Sequence, residues 1–245
     1  MVLGIDVGSI YTKGILFDGD IKNKVVLKTA LKPKAAIEEV KRLLRGFDKI
    51  AATGYGRELV TGGDLVITEI TAFARGVAFF DSSVRTIIDI GGQDCKVIKL
   101  RSGKLDRFVM NDRCAAGTGN FIEKISQSLG LTLDEFSNLA LKSEKPETID
   151  SLCVVMAETE ILSLVSEGKK IEDIVLGVCD ALIRRIIGIG SQIEIEYPVV
   201  FCGGGALNLG LIKAMKRILG NVIVPDIPQF IGALGAALAA GLHNK

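Results

Sequence analysis

The sequence predicts a duplicated α/β fold with two lobes. Strand and helix patterns alternate along the chain, and one order of elements occurs twice. Each copy starts with a short apolar strand that ends in a turn rich in Asp and Gly, followed by two antiparallel strands and then by alternating strands and helices. Duplicated α/β units commonly enclose a ligand. We therefore expect a ligand site between the lobes.

The first copy begins with the apolar strand Val2–Val7, which leads into Asp-Val-Gly-Ser. A return strand is expected over residues 12–17, and the Asp-Gly-Asp sequence at 18–20 is typical of a hairpin turn into a third strand over 24–30. Pro33 predicts the start of a helix that ends near Arg45, because proline is favoured in the first helical turn. A strand over 50–53 and a helix over 69–80 complete the copy.

The second copy begins with a strand over 86–90 that leads into Asp-Ile-Gly-Gly-Gln-Asp. Strands over 95–100 and 104–110 follow, joined by a Ser-Gly turn. Helices are expected over 117–129, 133–142, 153–167 and 171–195. A strand over 199–202, a helix ending at 219, a strand over 222–224 and a helix over 227–242 complete the chain. We expect one lobe of residues 1–83 with 229–245, and a second lobe of residues 84–228.

Composition excludes several classes of protein. The chain has 245 residues, of which 48% are hydrophobic and 24% charged, and its net charge is +1. Because no basic run carries interleaved aromatic residues, a nucleic-acid partner is not expected. The first residues lack the cationic region of a signal peptide, and the longest apolar stretch, residues 231–242, is shorter than the roughly 18–20 residues that span a membrane. We expect a cytoplasmic protein without a membrane partner.

The turn after the first strand has the composition of an anion site. Gly8 lets the backbone approach a ligand closely, and the backbone amides together with the hydroxyls of Ser9 and Thr12 can bind phosphate oxygens. Lys13 adds a positive charge. Asp6 can hold a magnesium ion through water.

Two later turns offer similar groups. The second loop, Asp89-Ile90-Gly91-Gly92-Gln93-Asp94, repeats the parts of the first. The third, Gly203-Gly204-Gly205-Ala206, follows a buried strand and permits close approach of an adenine or a ribose. No GxxxxGK[ST] sequence is present and no GxGxxG joins the first strand to a helix, so P-loop and Rossmann nucleotide sites are excluded.

The three motifs DVGSIYTK, DIGGQD and GGGA resemble those of the acetate-kinase, sugar-kinase, Hsp70 and actin superfamily. The resemblance covers nearly the whole chain. It implies a two-lobed actin/hexokinase/Hsp70-like (ribonuclease H-like) duplicated fold that binds ATP or ADP with Mg²⁺. Gln229, in the first turn of the last predicted helix, is also expected to contact the nucleotide.

Two residues are candidates for positioning a hydrolytic water. Glu69 lies 20 residues before Asp89, in a segment that resembles the connecting helix from which related phosphatases deliver a glutamate. An acidic residue at a helix start is also favoured by the helix dipole alone. Gln93, in the second loop, is the competing candidate.

Two of the five cysteines lie where predicted helices begin: Cys114 comes just before one, and Cys153 starts another. A helix N-terminus lowers the pKa of a thiol and stabilises an anionic ligand, so both positions suit metal ligation. The other three, at 95, 179 and 202, lie in apolar strands or on an apolar helix face and are expected to be packed thiols. An odd cysteine count without a CxxC pair does not indicate a disulfide framework.

If the metal group is a 4Fe–4S cluster, the two thiolates of one chain are too few, because such a cluster normally takes four. A two-fold homodimer supplies the missing pair, because each ligand recurs across the symmetry axis. A zinc ion held by the same four thiolates is the alternative.

The segments NDRCAAGTGNF and SLCVVMAETEI, with TGYGR, TEIT and DIGGQD, resemble the activator component of 2-hydroxyacyl-CoA dehydratases, in the BadF/BadG/BcrA/BcrD ATPase family. This resemblance implies that Cys114 and Cys153 hold a 4Fe–4S cluster shared across a homodimer. It implies an oxygen-sensitive ATPase that takes an electron from ferredoxin or flavodoxin. The electron is then passed to a partner dehydratase or a related reductase.

Two other functions fit the superfamily. A small-molecule kinase requires an acceptor pocket and a carboxylate base, for which the chain has little insertion length. A non-catalytic, nucleotide-switched assembly protein does not require thiols at two helix starts. Iron content distinguishes the first interpretation from both of these.

Overall fold

The computed structural model describes residues 1–29, 31–111, 117–151 and 153–241. The chain divides into two compact units. One consists of Met1–Ile87, Ile98–Phe108 and Asp226–Lys245, and the other of Ile88–Val97 and Val109–Pro225. The lobe boundaries at 83/84 and 228/229 stay a prediction.

The first sheet has five strands in the order β3-β2-β1-β4-β5. Strand β1 is antiparallel to β2 and parallel to β4. The strands are β1 Val2–Val7, β2 Tyr11–Phe17, β3 Ile21–Lys28, β4 Lys49–Thr53 and β5 Leu65–Val66. The helices of this unit are α1 Pro33–Leu43, α2 Glu69–Phe80 and the last helix of the described chain, α8 Ile231–Gly241.

Both faces of β1 are covered. Leu3, Ile5 and Val7 pack with the apolar side of α1, whereas Gly4 faces α8. A Cβ atom on Gly4 would lie 2.0 Å from the carbonyl oxygen of Ala233. This close approach of α8 explains why the first strand contains a glycine although glycine is a poor strand former.

The second sheet repeats the order of the first. Counted from the corresponding edge, its strands lie in the order β8-β7-β6-β9-β10. Strands β6 to β10 therefore take the places of β1 to β5, in the same sequence. Their bounds are Thr86–Ile90, Cys95–Arg101, Lys104–Met110, Val199–Cys202 and Val222–Ile223. The predicted duplicated α/β fold is confirmed.

The helices of the second unit are α3 Gly119–Ser128, α4 Leu133–Lys142, α5 Val154–Ser166, α6 Ile171–Gly190 and α7 Leu209–Leu219. Their buried faces form one core with the sheet, which includes Phe136 of α4, Ile183 of α6 and Phe201 of β9. None of the helices built from the described residues is long and apolar enough to cross a membrane.

Helix α6 ends five residues before the predicted end at 195. Glu194 has a φ of 61°, which a continuing right-handed helix does not allow. The side chain of Ile195 packs back against Gly190. The apolar residues after 190 therefore extend the helical pattern in the sequence, although they belong to a turn that folds back onto the helix.

Candidate functional site

The turn between β1 and β2, residues 6–13, is a tight hairpin. The backbone N–H of Gly8 donates to the carbonyl oxygen of Tyr11 at 3.1 Å, and Asp6 and Lys13 face each other across the strand pair. The Lys13 Nζ lies 3.3 Å from Asp6 Oδ2. Ser9 is half-buried in the turn. The structure thus brings Asp6, Gly8, Ser9 and Lys13 together in one loop.

Thr12 is fully buried and lies behind this turn. Its hydroxyl is 3.0 Å from the hydroxyl of Thr29, and Thr29 in turn donates to the carbonyl oxygen of Gly8 at 2.8 Å. Because a hydroxyl has only one proton, Thr12 is the donor of the first bond. We therefore assign Thr12 to the hydrogen bonds that hold the loop from behind. Thr29, which takes part in them, was not among the predicted site residues.

The carboxylate of Asp6 rests against two glycines. A Cβ on Gly54, at the end of β4, would lie 2.6 Å from Asp6 Oδ1, and a Cβ on Gly232 would lie 3.1 Å from Oδ2. Gly54 has a φ of +95°, a conformation that glycine adopts without strain. Gly232 belongs to the first turn of α8, where the helix dipole favours a negative charge.

The turn between β6 and β7 repeats this geometry. The N–H of Gly91 donates to the carbonyl oxygen of Asp94 at 2.9 Å, three residues on, as Gly8 does to Tyr11. Asp89 is buried, and a Cβ on Gly203 would lie 2.1 Å from its Oδ1. Gly203, at the end of β9, has a φ of +84°. The duplication therefore extends to the loops: Asp89 and Gly203 correspond to Asp6 and Gly54.

A buried lysine on β7 completes the second loop. The Lys96 Nζ lies 3.1 Å from Asp89 Oδ2 and 2.9 Å from Asp94 Oδ2. Lys96 follows Asp89 by seven residues, as Lys13 follows Asp6. Lys96 was not among the predicted site residues, although its equal spacing from the loop aspartate in the two copies is a signal that points to it.

The third loop exposes one of its three glycines. Residues Gly204–Leu207 form a short 3₁₀ helix, in which Gly204 is exposed while Gly203 and Gly205 are buried. A Cβ on Gly205 would lie 2.7 Å from Cβ of Ile90. Gly203 and Gly205 thus allow close packing against β6, and the exposed backbone of Gly204 is accessible to a ligand.

The two candidates for positioning water differ in exposure. Gln93 is exposed at the tip of the second turn. Glu69 is the half-buried first residue of α2, next to the cap Thr68, whose hydroxyl accepts from the N–H of Thr71. Gln229 lies in the first unit, in the 3₁₀ turn Pro228–Phe230, and is half-buried.

Two backbone hydrogen bonds join the second loop to helix α3. The N–H of Gly119 donates to the carbonyl oxygen of Gly91 at 2.8 Å, and the N–H of Asn120 donates to that of Gly92 at 3.0 Å. Helix α3 directly follows the segment that carries Cys114, which lies outside the described residues. A displacement of the second loop therefore acts directly on the first turn of the helix that follows this cysteine.

Cys153 differs from the other described cysteines. It is exposed, has an extended backbone, and lies at the N-cap of α5. Cys95, Cys179 and Cys202 are buried, in agreement with their interpretation as packed thiols. Burial, together with the charge of nearby Asp89, raises the pKa of Cys95 to about 12, and burial also strongly raises the pKa of Cys179 and Cys202. These three are poor sources of a thiolate.

The residues before Cys153 are held by a glutamate of α5. The Glu160 carboxylate accepts hydrogen bonds from the backbone N–H groups of Asp150 and Ser151, at 2.9 and 3.0 Å. Partial burial opposes ionisation, but these bonds hold the pKa of Glu160 below its ordinary value. No periodic pattern in the sequence indicates such a contact, because it depends on how the chain returns past α5.

We expect Glu160→Ala to release the segment before Cys153. Each hydrogen bond to a charged group contributes about 1.5–3 kcal/mol, so the amide hydrogens of Asp150 and Ser151 should exchange at least about tenfold faster. In the wild type the carboxylate, whose pKa is depressed, provides this stabilisation above pH 4.5 and loses it as the pH falls through the folded-state pKa. Hydrogen exchange followed by mass spectrometry measures both effects.

Glu123→Ala is the matched control, because Glu123 is an exposed carboxylate on α3. Unchanged exchange at Asp150 and Ser151 in Glu160→Ala would contradict the assignment, and so would an equal effect in the control.

A cavity of about 600 Å³ opens in the second unit beside α6 and residues 144–151. Asp180 lines it; one carboxylate oxygen pairs with Arg217, and the other, Oδ1, is buried without a hydrogen-bond partner among the described residues. None of the described residues that line it is a predicted nucleotide-binding residue. We assign no part of the nucleotide site to this cavity.

Over the described residues, no group of three or more His, Cys, Asp or Glu side chains is arranged to hold a metal ion. Cys153 therefore belongs to no such group of three among the described residues.

Comparison with known proteins shows the family to which the chain belongs. The profile of the BadF/BadG/BcrA/BcrD ATPase family matches residues 3–240. The chain is 39% identical to the (R)-2-hydroxyglutaryl-CoA dehydratase activating ATPase of Acidaminococcus fermentans, over 97% of this chain and 96% of that protein.

Solved structures agree with this. The activator of the 2-hydroxyisocaproyl-CoA dehydratase from Clostridium difficile, with bound ADPNP, superposes with a TM-score of 0.91 at 40% identity, covering 99% of this chain and 94% of that one. A ROK family glucokinase from Streptomyces griseus, at 13% identity and a TM-score of 0.59, covers 97% of this chain and 98% of its own. The second likeness concerns the fold alone and confirms the actin/hexokinase-like architecture. With its duplicated sheets, its two Asp-and-Gly loops and a family profile that matches nearly its whole length, the chain belongs to the BadF/BadG/BcrA/BcrD ATPase family.

Proposed function

We propose that this ATPase activates a partner 2-hydroxyacyl-CoA dehydratase, or a related reductase, by coupling ATP hydrolysis to the transfer of one electron. The observation that carries the proposal is the backbone connection from Gly91 and Gly92 to the start of α3. It joins a loop suited to bind phosphate to the helix that follows Cys114 in the sequence. The activating ATPase from Acidaminococcus fermentans, 39% identical to this chain, supports the choice of partner.

The nucleotide contacts follow from the loops. The N–H groups of Ser9 and Gly92 bind phosphate oxygens, whereas those of Gly8 and Gly91 close the two turns, and Lys13 adds a positive charge. Asp6 and Asp89 are the carboxylates of the site, and Asp6 holds Mg²⁺ through water. Gly203 and Gly205 shape the third loop, whose exposed Gly204 approaches the adenosine together with Gln229. Gln93 positions the attacking water, with Glu69 as the second candidate.

Cys114 and Cys153 of two copies of the chain hold one 4Fe–4S cluster in a homodimer. The exposure of Cys153 at the N-cap of α5 supports this role, because an exposed cysteine can share a cluster with a second copy of the chain. Burial makes Cys95, Cys179 and Cys202 unsuitable. When bound, the cluster supplies one-electron chemistry, with a reduced ferredoxin or flavodoxin as the electron source.

The coupling requires that ATP bind one conformation more tightly than another, because equal affinity for both would shift no equilibrium. The second loop offers such a difference. If the phosphate of ATP draws Gly91 and Gly92 towards it, the hydrogen bonds from Gly119 and Asn120 pull the start of α3 in the same direction. ADP, which lacks the terminal phosphate, exerts less of this pull.

The substitution Gly119→Ala tests this coupling. A Cβ on Gly119 would lie 3.0 Å from the carbonyl oxygen of Gly91, so that the loop and the helix must separate by a few tenths of an ångström. We expect ATP hydrolysis to stay within about threefold of the wild type, whereas ATP-dependent activation of the dehydratase falls about tenfold, a loss of about 1.4 kcal/mol of coupling.

The control for Gly119→Ala is Gly188→Ala, since a Cβ at Gly188 meets no atom within 4 Å. Equal loss of hydrolysis and activation in Gly119→Ala would count against the coupling route. ATP-dependent phosphorylation of a small molecule by the wild type would favour the kinase alternative.

A further inference from the structure

The two loops carry the same Asp–Lys pair, but the surroundings of the two lysines differ. Asp6 and Lys13 in the first loop correspond to Asp89 and Lys96 in the second, both seven residues apart. The carbonyl that closes the turn belongs to Tyr11 in the first loop and to Asp94 in the second. The second loop thus has an additional carboxylate at a position where the first has a neutral side chain.

This additional carboxylate changes what the lysine can do. The Lys13 side chain is 16% exposed and has one carboxylate at 3.3 Å, whereas that of Lys96 is 3% exposed and lies within 3.1 Å of two. A buried ammonium requires paired charges, because an unpaired one loses its hydration without compensation. Lys13 can therefore turn towards a phosphate, but Lys96 is held in place by Asp89 and Asp94.

Asp94 links Lys96 to the turn of the second loop. Its Oδ2 pairs with Lys96, and a Cβ on Gly91 would lie 2.6 Å from its Oδ1. Its carbonyl oxygen also accepts the hydrogen bond that closes the turn. The ammonium of Lys96 thereby fixes the carboxylate that packs over Gly91, and Gln93 lies at the tip of this turn.

We propose that Lys96 is a positioning residue for ATP hydrolysis: it holds Asp89 and the Gly91–Asp94 turn in the arrangement in which Gln93 orients the attacking water. The inference rests on the proposed role of the second loop. Lys96 acts through the two carboxylates and contributes to the rate of hydrolysis rather than to the affinity for ATP, which distinguishes it from Lys13.

The experiment compares Lys96→Met, Lys96→Arg and the wild-type protein. Methionine keeps an unbranched side chain but removes the charge, whereas arginine retains the charge. We measure kcat for ATP hydrolysis, the Kd of ADPNP by calorimetry, and the thermal midpoint. For Lys96→Met we expect kcat to fall on the order of 10- to 100-fold, as displaced catalytic groups do, with the Kd of ADPNP within about threefold of the wild type. Lys96→Arg should recover part of kcat.

Lys99→Met is the matched control, because Lys99 is a second buried lysine of the same strand. It should lower the thermal midpoint without lowering kcat of the folded protein. If Lys96→Met does not fold, Asp94→Asn replaces it, since Asp94 is partly exposed and Lys96 keeps its pairing with Asp89. This variant should also lose kcat without losing affinity.

Two results would overturn the inference. A Kd that weakens as much as kcat falls would make Lys96 a direct phosphate ligand, and an unchanged kcat in folded Lys96→Met or Asp94→Asn would make it purely structural. Absence of ATP hydrolysis in the wild type would instead contradict the role of the loops as a whole, so the two failures are distinguishable.

Discussion

Replacing Cys153 with alanine is expected to remove the iron of the anaerobically purified protein. The wild type should contain about four irons and as much acid-labile sulfide per dimer, because a 4Fe–4S cluster takes four cysteine ligands. Each Cys153→Ala dimer loses two of these ligands, and the iron content should fall to near zero. ATP-dependent activation of the dehydratase should be lost with it. Iron and sulfide analysis of the purified protein measures the effect.

Cys179→Ala is the matched control for this experiment. Cys179 is fully buried in α6, and we expect this variant to keep its iron. Cys114→Ala should behave like Cys153→Ala. Iron retained in Cys153→Ala, or an iron-free wild type after attempted reconstitution, would refute the cluster assignment while leaving the ATPase intact.

The second large effect is expected for Gly203→Ala. Gly203 has a φ of +84°, and a Cβ there would lie 2.1 Å from Asp89 Oδ1 and 2.7 Å from the carbonyl oxygen of Ile90. Alanine therefore meets backbone strain of about 1–3 kcal/mol and displaces the buried carboxylate of the second loop. We expect ATP hydrolysis to fall about 100-fold, as a shift of about 1 Å in a catalytic group can do.

The measurement is kcat for ATP hydrolysis together with the thermal midpoint. Gly188→Ala serves again as the control, since its Cβ meets open space. It should leave kcat near the wild-type value and leave the thermal midpoint unchanged or slightly raised, because alanine is the better helix former. Full activity in Gly203→Ala would show that the contact with Asp89 is not needed for hydrolysis.

Local sequence patterns were sufficient for most of the fold. Strands such as Val2–Val7 and Thr86–Ile90 were predicted with their observed bounds, because a run of apolar residues that ends in an Asp-and-Gly turn is a local signal. Helix Glu69–Phe80 was predicted equally well. Strand Leu65–Val66 was not recognised, because two residues are too few to show an alternation.

Contacts distant in sequence were not predictable in this way. The contacts of Asp6 with Gly54 and of Asp89 with Gly203 join elements that come together only on folding. The same is true of the hydrogen bonds that Glu160 accepts from the N–H groups of residues 150 and 151. The same holds for Thr12, whose hydroxyl suggested a phosphate ligand but is bonded to Thr29.

Residue type and spacing along the chain were enough to recognise the duplication and the two Asp-and-Gly loops, and they single out Cys114 and Cys153 as the proposed cluster ligands. Folding sets what each loop can do. It buried Lys96 between two carboxylates, where Lys13 has one, and it placed α3 on the second loop. Burial and charge pairing depend on which elements pack together, and spacing along the chain does not specify this.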